Sequence, residues 1–260
     1  MYAMAFPASR LLRCYYLEAK YEFLRLLRTP SFVLPSLLFP AMFYLLFGVV
    51  LGSSRGGDEL PRYLLATYGV FGVMGVALFG FGVSIAIERE RGFHTLKRAL
   101  PMPPGALLFA KMAMAMIFAS IISLILATLA ATLAGVSLAP SQWLLLFLIN
   151  VLGVLPFAAI GLWIGTLVSG QAAPAIVNLI YLPMSFLSGL WMPLTILPAF
   201  VGKLAPVWPS YHLSRIALAV VGRDDAGPVA VHIVVLLAIT LGCFLLARRR
   251  LVNIDQMGPG

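Results

Sequence analysis

The sequence predicts an all-α integral membrane protein with six transmembrane helices and an N-terminal amphipathic helix lying along the membrane. Three observations carry this. Of the 260 residues, 62% are hydrophobic and 10% charged, and the mean hydropathy is +1.01, against about 45–50% apolar and about 25% charged in soluble domains. The apolar residues form runs of the roughly 20 residues a helix needs to cross about 30 Å of hydrocarbon. The charges fall almost wholly between those runs. A soluble enzyme of this composition would have to bury nearly every side chain, which surface-to-volume scaling forbids. A disordered chain is excluded by the apolar content, and a membrane barrel by the absence of strand-like alternation.

Each element follows in order. From Ser9 to Arg28, Leu12, Tyr16, Ala19, Phe23, Leu26 and Leu27 recur at helical spacing on one face. The opposite face mixes charges with Leu17, Tyr21 and Leu24, which suits an interfacial helix docked on the bilayer or on neighbouring spans. Its role is either anchoring alone or regulation. Charges break its apolar run before any cleavage pattern, so it does not read as a signal peptide. Thr29-Pro30 ends it. The spans are expected at about Phe32–Leu51, Tyr63–Ile87, Met112–Ala134 and Trp143–Val168. A fifth begins near Ala173 and is interrupted by Gly189, Pro193 and Pro198, and a sixth covers about Val229–Ala247. The expected organisation is an N-terminal segment at 1–30, a single transmembrane domain at 31–250 and a tail at 251–260. Asn150, ahead of the kinking Pro156, reads as a packing hydrogen bond.

The formal charge of +9 is explained by where the charges sit. Arg10, Arg13, Lys20, Arg25 and Arg28 precede the first span, Arg89, Arg91, Lys97, Arg98 and Lys111 lie between spans two and three, and Arg248, Arg249 and Arg250 follow the last. The other side holds Arg55, Arg62, Lys203, Arg215 and Arg223, diluted by Asp58, Glu59, Asp224 and Asp225. The positive-inside rule places both termini in the cytoplasm. Topology accounts for the basic excess, so nucleic acid is not an expected partner. Cys14 and Cys243 support neither a disulfide framework nor a thiolate metal site.

No G-x-x-x-x-G-K-[ST] phosphate loop is present, and Gly202-Lys203 lacks its glycine spacing and hydroxyl. The chain is therefore not expected to hydrolyse ATP itself. No zinc-ligand motif occurs, and His212 with Ser210 or Ser214 and Asp224 or Asp225 lacks the nucleophile turn a triad needs. No Asp, Glu, Lys or Arg occupies the middle of a span, although proton-coupled carriers use such groups despite a cost of about 2.5–3.5 kcal/mol each. Energy is expected from another chain. Two stripes stand out: Tyr68, Phe71, Gly72, Gly75, Phe79 and Gly82 in the second span, and Gln171, Asn178, Tyr181, Ser185 and Ser188 in the fifth. Each reads either as close helix packing or as the lining of a path for an amphipathic ligand.

Two segments carry a family resemblance. The run Glu88 to Pro101, with Arg91, Gly92, Phe93, His94, Thr95, Leu96, Lys97 and Arg98, continues to Pro104 and Lys111. It resembles the cytoplasmic coupling loop of type-2 ABC exporter permeases. The run Phe186-Leu-Ser188-Gly189-Leu-Trp-Met-Pro193, followed by Pro198, Pro206, Pro209 and Tyr211, resembles that family's broken fifth span, which leads into a re-entrant hairpin between spans five and six. Arg28-Thr29-Pro30 with Leu38-Phe39-Pro40 is similar to the way the family's first span begins. The glycine and threonine often adjacent in the family's loop are here separated by Phe93 and His94.

The resemblance implies the membrane-spanning subunit of an ATP-driven exporter in the inner (plasma) membrane. Thr95 to Leu100 would form a helix docking on a separate ATPase, with Arg91, Lys97 and Arg98 paired to acids and Phe93 and Leu96 as buried anchors. The plainer reading of this loop is a positive-inside anchor. Two permease chains, identical (a homodimer) or paralogous, would form the path between their first, second and fifth spans, from Tyr68, Phe71, Gly72, Gly75, Phe79, Asn178, Tyr181 and Ser185. Ser188, Gly189 and Pro193 would form an external gate. Two ATPase copies would bind ATP and Mg, this chain itself carrying no cofactor. With neither a long external domain nor a carbohydrate-binding module expected, the cargo would be a drug, lipid or peptide. The alternatives are a non-transporting assembly or sensor component that relays ATPase state, and a passive channel or carrier.

Overall fold

The computed structural model describes residues 8–53, 58–92, 105–223 and 227–256. They are helices joined by turns, with no strand among the described residues. We number the helices α1 (Ala8–Leu27), α2 (Pro30–Val50), α3 (Glu59–Glu90), α4 (Ala106–Thr132), α5 (Pro140–Leu167), α6 (Ala173–Leu187), α7 (Ala199–Leu204), α8 (Pro209–Val220) and α9 (Val229–Gln256). Helices α2, α3, α4, α5 and the Val229–Leu251 part of α9 are long and apolar enough to cross a membrane. The stretch expected as a fifth span is α6, of 15 residues. At 1.5 Å per residue it reaches about 22 Å, short of the roughly 30 Å hydrocarbon core. It ends at Ser188-Gly189, and the chain returns through the short helices α7 and α8.

Helix α3 is the hub. Of its most apolar window 72% is buried, against 17% for α2 and 11% for α9. Its glycines allow this, because without a side chain each lets a neighbour approach the backbone. A Cβ on Gly69 would lie 2.7 Å from Asn150 Nδ2, and one on Gly72 would lie 2.8 Å from Ile122 and 2.9 Å from Pro40. Lower down, Gly161 and Gly165 of α5, a G-x-x-x-G pair, press on the α3 backbone between Ala77 and Gly82. Helix α3 takes π-helical turns over Leu78–Val83, and α2 does so over Tyr44–Val50. Such turns break the regular ladder and recur at functional sites.

Helix α5 breaks at Gly153, between Leu152 and Val154. Pro156 lacks the N–H that would bond the Leu152 carbonyl, and Leu213 of α8 wedges in where a Gly153 side chain would stand. Asn150 is buried and donates to Ser123 Oγ at 3.1 Å, the packing bond expected of it.

Helix α1 lies on α4, but its contact face is turned from the expected one. Phe23 packs on Phe118 at 5.7 Å, Tyr15 on Phe109 at 5.2 Å, and Glu22 and Leu26 are buried, while Leu12, Tyr16 and Leu27 are exposed. Glu22 and Arg25 form ion pairs on the same face.

Candidate functional site

Two regions hold the residues the sequence singled out, one at each end of α3, with an apolar face between them. At the end where α3 finishes, Glu88, Arg91 and Gly92 are described, and Phe93, His94, Thr95, Leu96, Lys97 and Arg98 lie outside the described residues. Glu88, which opens the run that resembles a coupling loop, is 4% exposed, because it faces Lys111 near the start of α4. Lys111, expected as a loop charge, has no exposed surface. Its ammonium donates to Glu22 Oε1 at 2.8 Å, Glu88 Oε1 at 2.8 Å and Ser84 Oγ at 2.5 Å. Arg25 completes the cluster, reaching Glu22 and Glu88 at 2.7 Å each. Partial burial works against the Arg25 charge, but the attraction and hydrogen bonds of the two carboxylates outweigh it and raise its pKa. Two acids and two bases thus join α1, the end of α3 and the start of α4.

Next to this cluster, Arg89 donates to the carbonyls of Thr166 at 2.5 Å and Val168 at 2.6 Å. These close the C-terminal end of α5, where carbonyls lack helical partners and cations are favoured. The cluster and this cap were not foreseen. Glu22, Arg25, Arg89 and Lys111 each fit the positive-inside or amphipathic pattern, and only their meeting in space separates them from ordinary loop charges.

On the face between α2, α3 and α6 lies a cleft of about 260 Å³ lined by Ser31, Phe32, Pro35, Ser36, Phe39, Gly75, Phe79, Asn178 and Tyr181. Four expected path residues, Gly75, Phe79, Asn178 and Tyr181, therefore meet in one place. Tyr181 stacks on Phe71 at 5.1 Å, meets the edge of Phe79 at 5.7 Å, and donates to the Phe71 carbonyl at 3.3 Å. Gly75 makes room for it, since a Cβ there would stand 3.0 Å from the Tyr181 hydroxyl. Tyr68 and Phe71 are buried behind this wall. Gly72 faces Ile122 and Pro40, and Ser185 bonds the Tyr181 carbonyl of its own helix at 2.6 Å. These last two are packing residues here. The first span was expected to border the path, but the α2 residues that line the cleft were not singled out. Pro35 and Pro40 inside this helix deprive the carbonyls of Ser31 and Ser36 of their helical donors, and both serines line the cleft.

At the opposite end, Ser188, Gly189 and Pro193 sit together where α6 stops. Gly189 adopts φ +75°, and a Cβ there would lie 2.7 Å from Leu194. The turn is held by a Ser188–Ser210 hydroxyl bond of 2.5 Å, by Tyr63 donating to the Gly189 carbonyl at 2.6 Å, and by Tyr68 donating to that of Trp191 at 3.3 Å. A second, apolar cleft of about 520 Å³ opens beside it, lined by residues including Phe43, Phe47, Tyr68, Trp191 and Pro193. Of the residues weighed as a triad, Asp224 and Asp225 lie outside the described residues. His212 is held by His232 at 2.8 Å and by the Pro206 carbonyl at 2.9 Å, and the Ser210 hydroxyl is held by Ser188 and Met184.

The fold is that of a helical membrane protein, with an aromatic cleft on one face and a buried ion cluster where α3 ends. The chain belongs to the ABC-2 type transporter family, whose model matches residues 15–221. It is 28% identical over 228 residues to "Putative transport permease YvfS" of Bacillus subtilis (strain 168), covering 87% of this chain and 92% of that protein. The resemblance seen in the sequence holds: this is an ABC-2 permease, a multi-pass membrane protein.

Proposed function

We propose that this chain is the permease subunit of an ATP-driven exporter that moves a hydrophobic or amphipathic substrate (a drug, lipid or peptide) from the cytoplasm or inner leaflet. The cleft between α2, α3 and α6 carries this reading. Phe32, Phe39, Phe79 and Tyr181 supply an apolar wall, while Asn178 and two serines supply a few polar contacts. That mixture suits an amphipathic guest. Exposed apolar residues stand next in sequence to the lining residues, among them Leu38, Leu179 and Leu182, and a second copy of the chain facing the first would enclose the cleft. In this reading α6 with the returning segment α7–α8 is the broken fifth span and its re-entrant hairpin, giving six spans with both termini cytoplasmic in the inner membrane. The loop containing Phe93, His94, Thr95, Leu96, Lys97 and Arg98 docks on one of two ABC ATPase copies, which hold ATP and Mg. Their closure rocks the permeases between inward- and outward-open states, and the turn at Ser188, Gly189 and Pro193 closes the outer side.

The experiment is a screen of amphipathic dyes, lipids and peptides for stimulation of ATP hydrolysis by the permease–ATPase complex in proteoliposomes. Hits are tested for ATP-dependent transport. The reading predicts that Tyr181→Ala and Phe79→Ala weaken stimulation by the same compounds. Transport by the permease alone without ATP would contradict it.

A further inference from the structure

We infer that Arg89 is a positioning residue that passes movement of the loop root to α6, a relay that rests on the proposed docking of an ATPase at that loop. Helix α3 ends at Glu90, one residue after Arg89, and the two roots of the loop, on α3 and α4, are fastened to each other by the Glu88–Lys111 pair at 2.8 Å. Glu22 and Arg25 fasten the same pair to α1. The cluster makes the root one body across three helices. Its connection toward the cleft is Arg89.

The guanidinium reaches the carbonyls of Thr166 and Val168, two residues apart, with separate nitrogens. A planar fork gripping two carbonyls sets the direction of the chain as well as its position. Val168 is where the chain leaves α5 in an extended conformation, and α6 begins at Ala173 after one turn. That turn is tied into α6 by Ser169, whose carbonyl accepts from Ala173 N at 2.9 Å and whose hydroxyl accepts from Ala172 N at 3.3 Å. Gly170 lies directly on the end of α3. A Cβ there would meet Glu90 Oε2 at 2.5 Å and Ile87 Cα at 2.9 Å. A tilt of the α3 end therefore moves the start of α6, and Asn178 and Tyr181 stand in the next two turns of that helix.

The test uses the full chain assembled with its ATPase in nanodiscs, with Cys14 and Cys243 replaced by serine. One nitroxide label is placed at Leu179→Cys, exposed on α6, or at Phe109→Cys, exposed at the start of α4. Spectra are compared without nucleotide and after trapping with ATP and vanadate. With Arg89 intact, both labels change. Arg89→Gln is expected to retain ATPase binding and the change at Phe109 while losing the change at Leu179. Arg89→Lys, which keeps the charge without the fork, is expected to restore part of it. An undiminished change at Leu179 in Arg89→Gln overturns the relay. So does loss of both changes, because Arg89 would then serve docking rather than transmission. If the complex never forms with Arg89 intact, the docking reading itself fails and the relay with it.

Discussion

Lys111 is fully buried between two carboxylates, and that placement determines what its loss would do. Removing one member of a buried ion pair leaves the others uncompensated and costs about 3–5 kcal/mol. Lys111→Met is therefore expected to lower the unfolding temperature of the detergent-solubilised chain markedly. Adding Glu88→Gln should recover part of the loss, since one of the stranded carboxylates becomes neutral. If the single variant melts like the unaltered chain, the cluster is not formed in the protein. Tyr181 offers a second test. Its hydroxyl donates to the Phe71 carbonyl while its ring stacks on Phe71. Tyr181→Phe should lose only about 0.5–1.5 kcal/mol, measured in the same way, because the stacking stays.

Among the elements, the long helices were legible because twenty apolar residues in a row have few other ways to satisfy their backbone in lipid. Four of the five span-length helices cover nearly the expected ranges of spans one to four, and the Gly189 interruption marks the end of α6. What escaped the sequence was orientation about each axis. In α1 the apolar period names Leu12 and Tyr16, yet these are exposed, while Glu22 of the neighbouring face is buried in the ion cluster. In α3 the stripe of aromatics and glycines is divided among several neighbours: Gly72 packs on α2 and α4, Gly75 makes room for Tyr181, and Gly82 meets Val177 of α6 and Gly161 of α5. Periodicity shows which residues share a face but not which helix will come to meet them. The α3–α5 contact gives a direct check. A side chain on Gly161 would meet the backbone of Ala77, Leu78 and Gly82 at 3.1–3.2 Å. Gly161→Leu is expected to cost about 1–3 kcal/mol through overpacking, read as a lowered midpoint of thermal unfolding.

For the whole molecule, the scarcity of charge said membrane, and the placement of charge predicts which way round. Of the candidate site, the cleft residues Gly75, Phe79, Asn178 and Tyr181 were readable, because polar and small residues on apolar helices avoid lipid. The ion cluster was not: Glu22 and Arg25 are three positions apart on one helix, but Lys111 lies 89 positions from Glu22 and 23 from Glu88, and no local pattern joins them. The orientation is testable in intact cells, where cysteines at Ser53 and Ser169 should react with impermeant reagents from outside and only from inside, respectively. The reverse pattern would overturn the topology. The central claim is that a separate ATPase drives this permease through the loop after Gly92. It is tested most directly by capturing the ATPase on the tagged permease, unaltered or carrying Phe93→Ala and Leu96→Ala. The account predicts that the unaltered chain retains the ATPase and that the double variant, with its unfolding temperature unchanged, does not. Equal retention by both would contradict it.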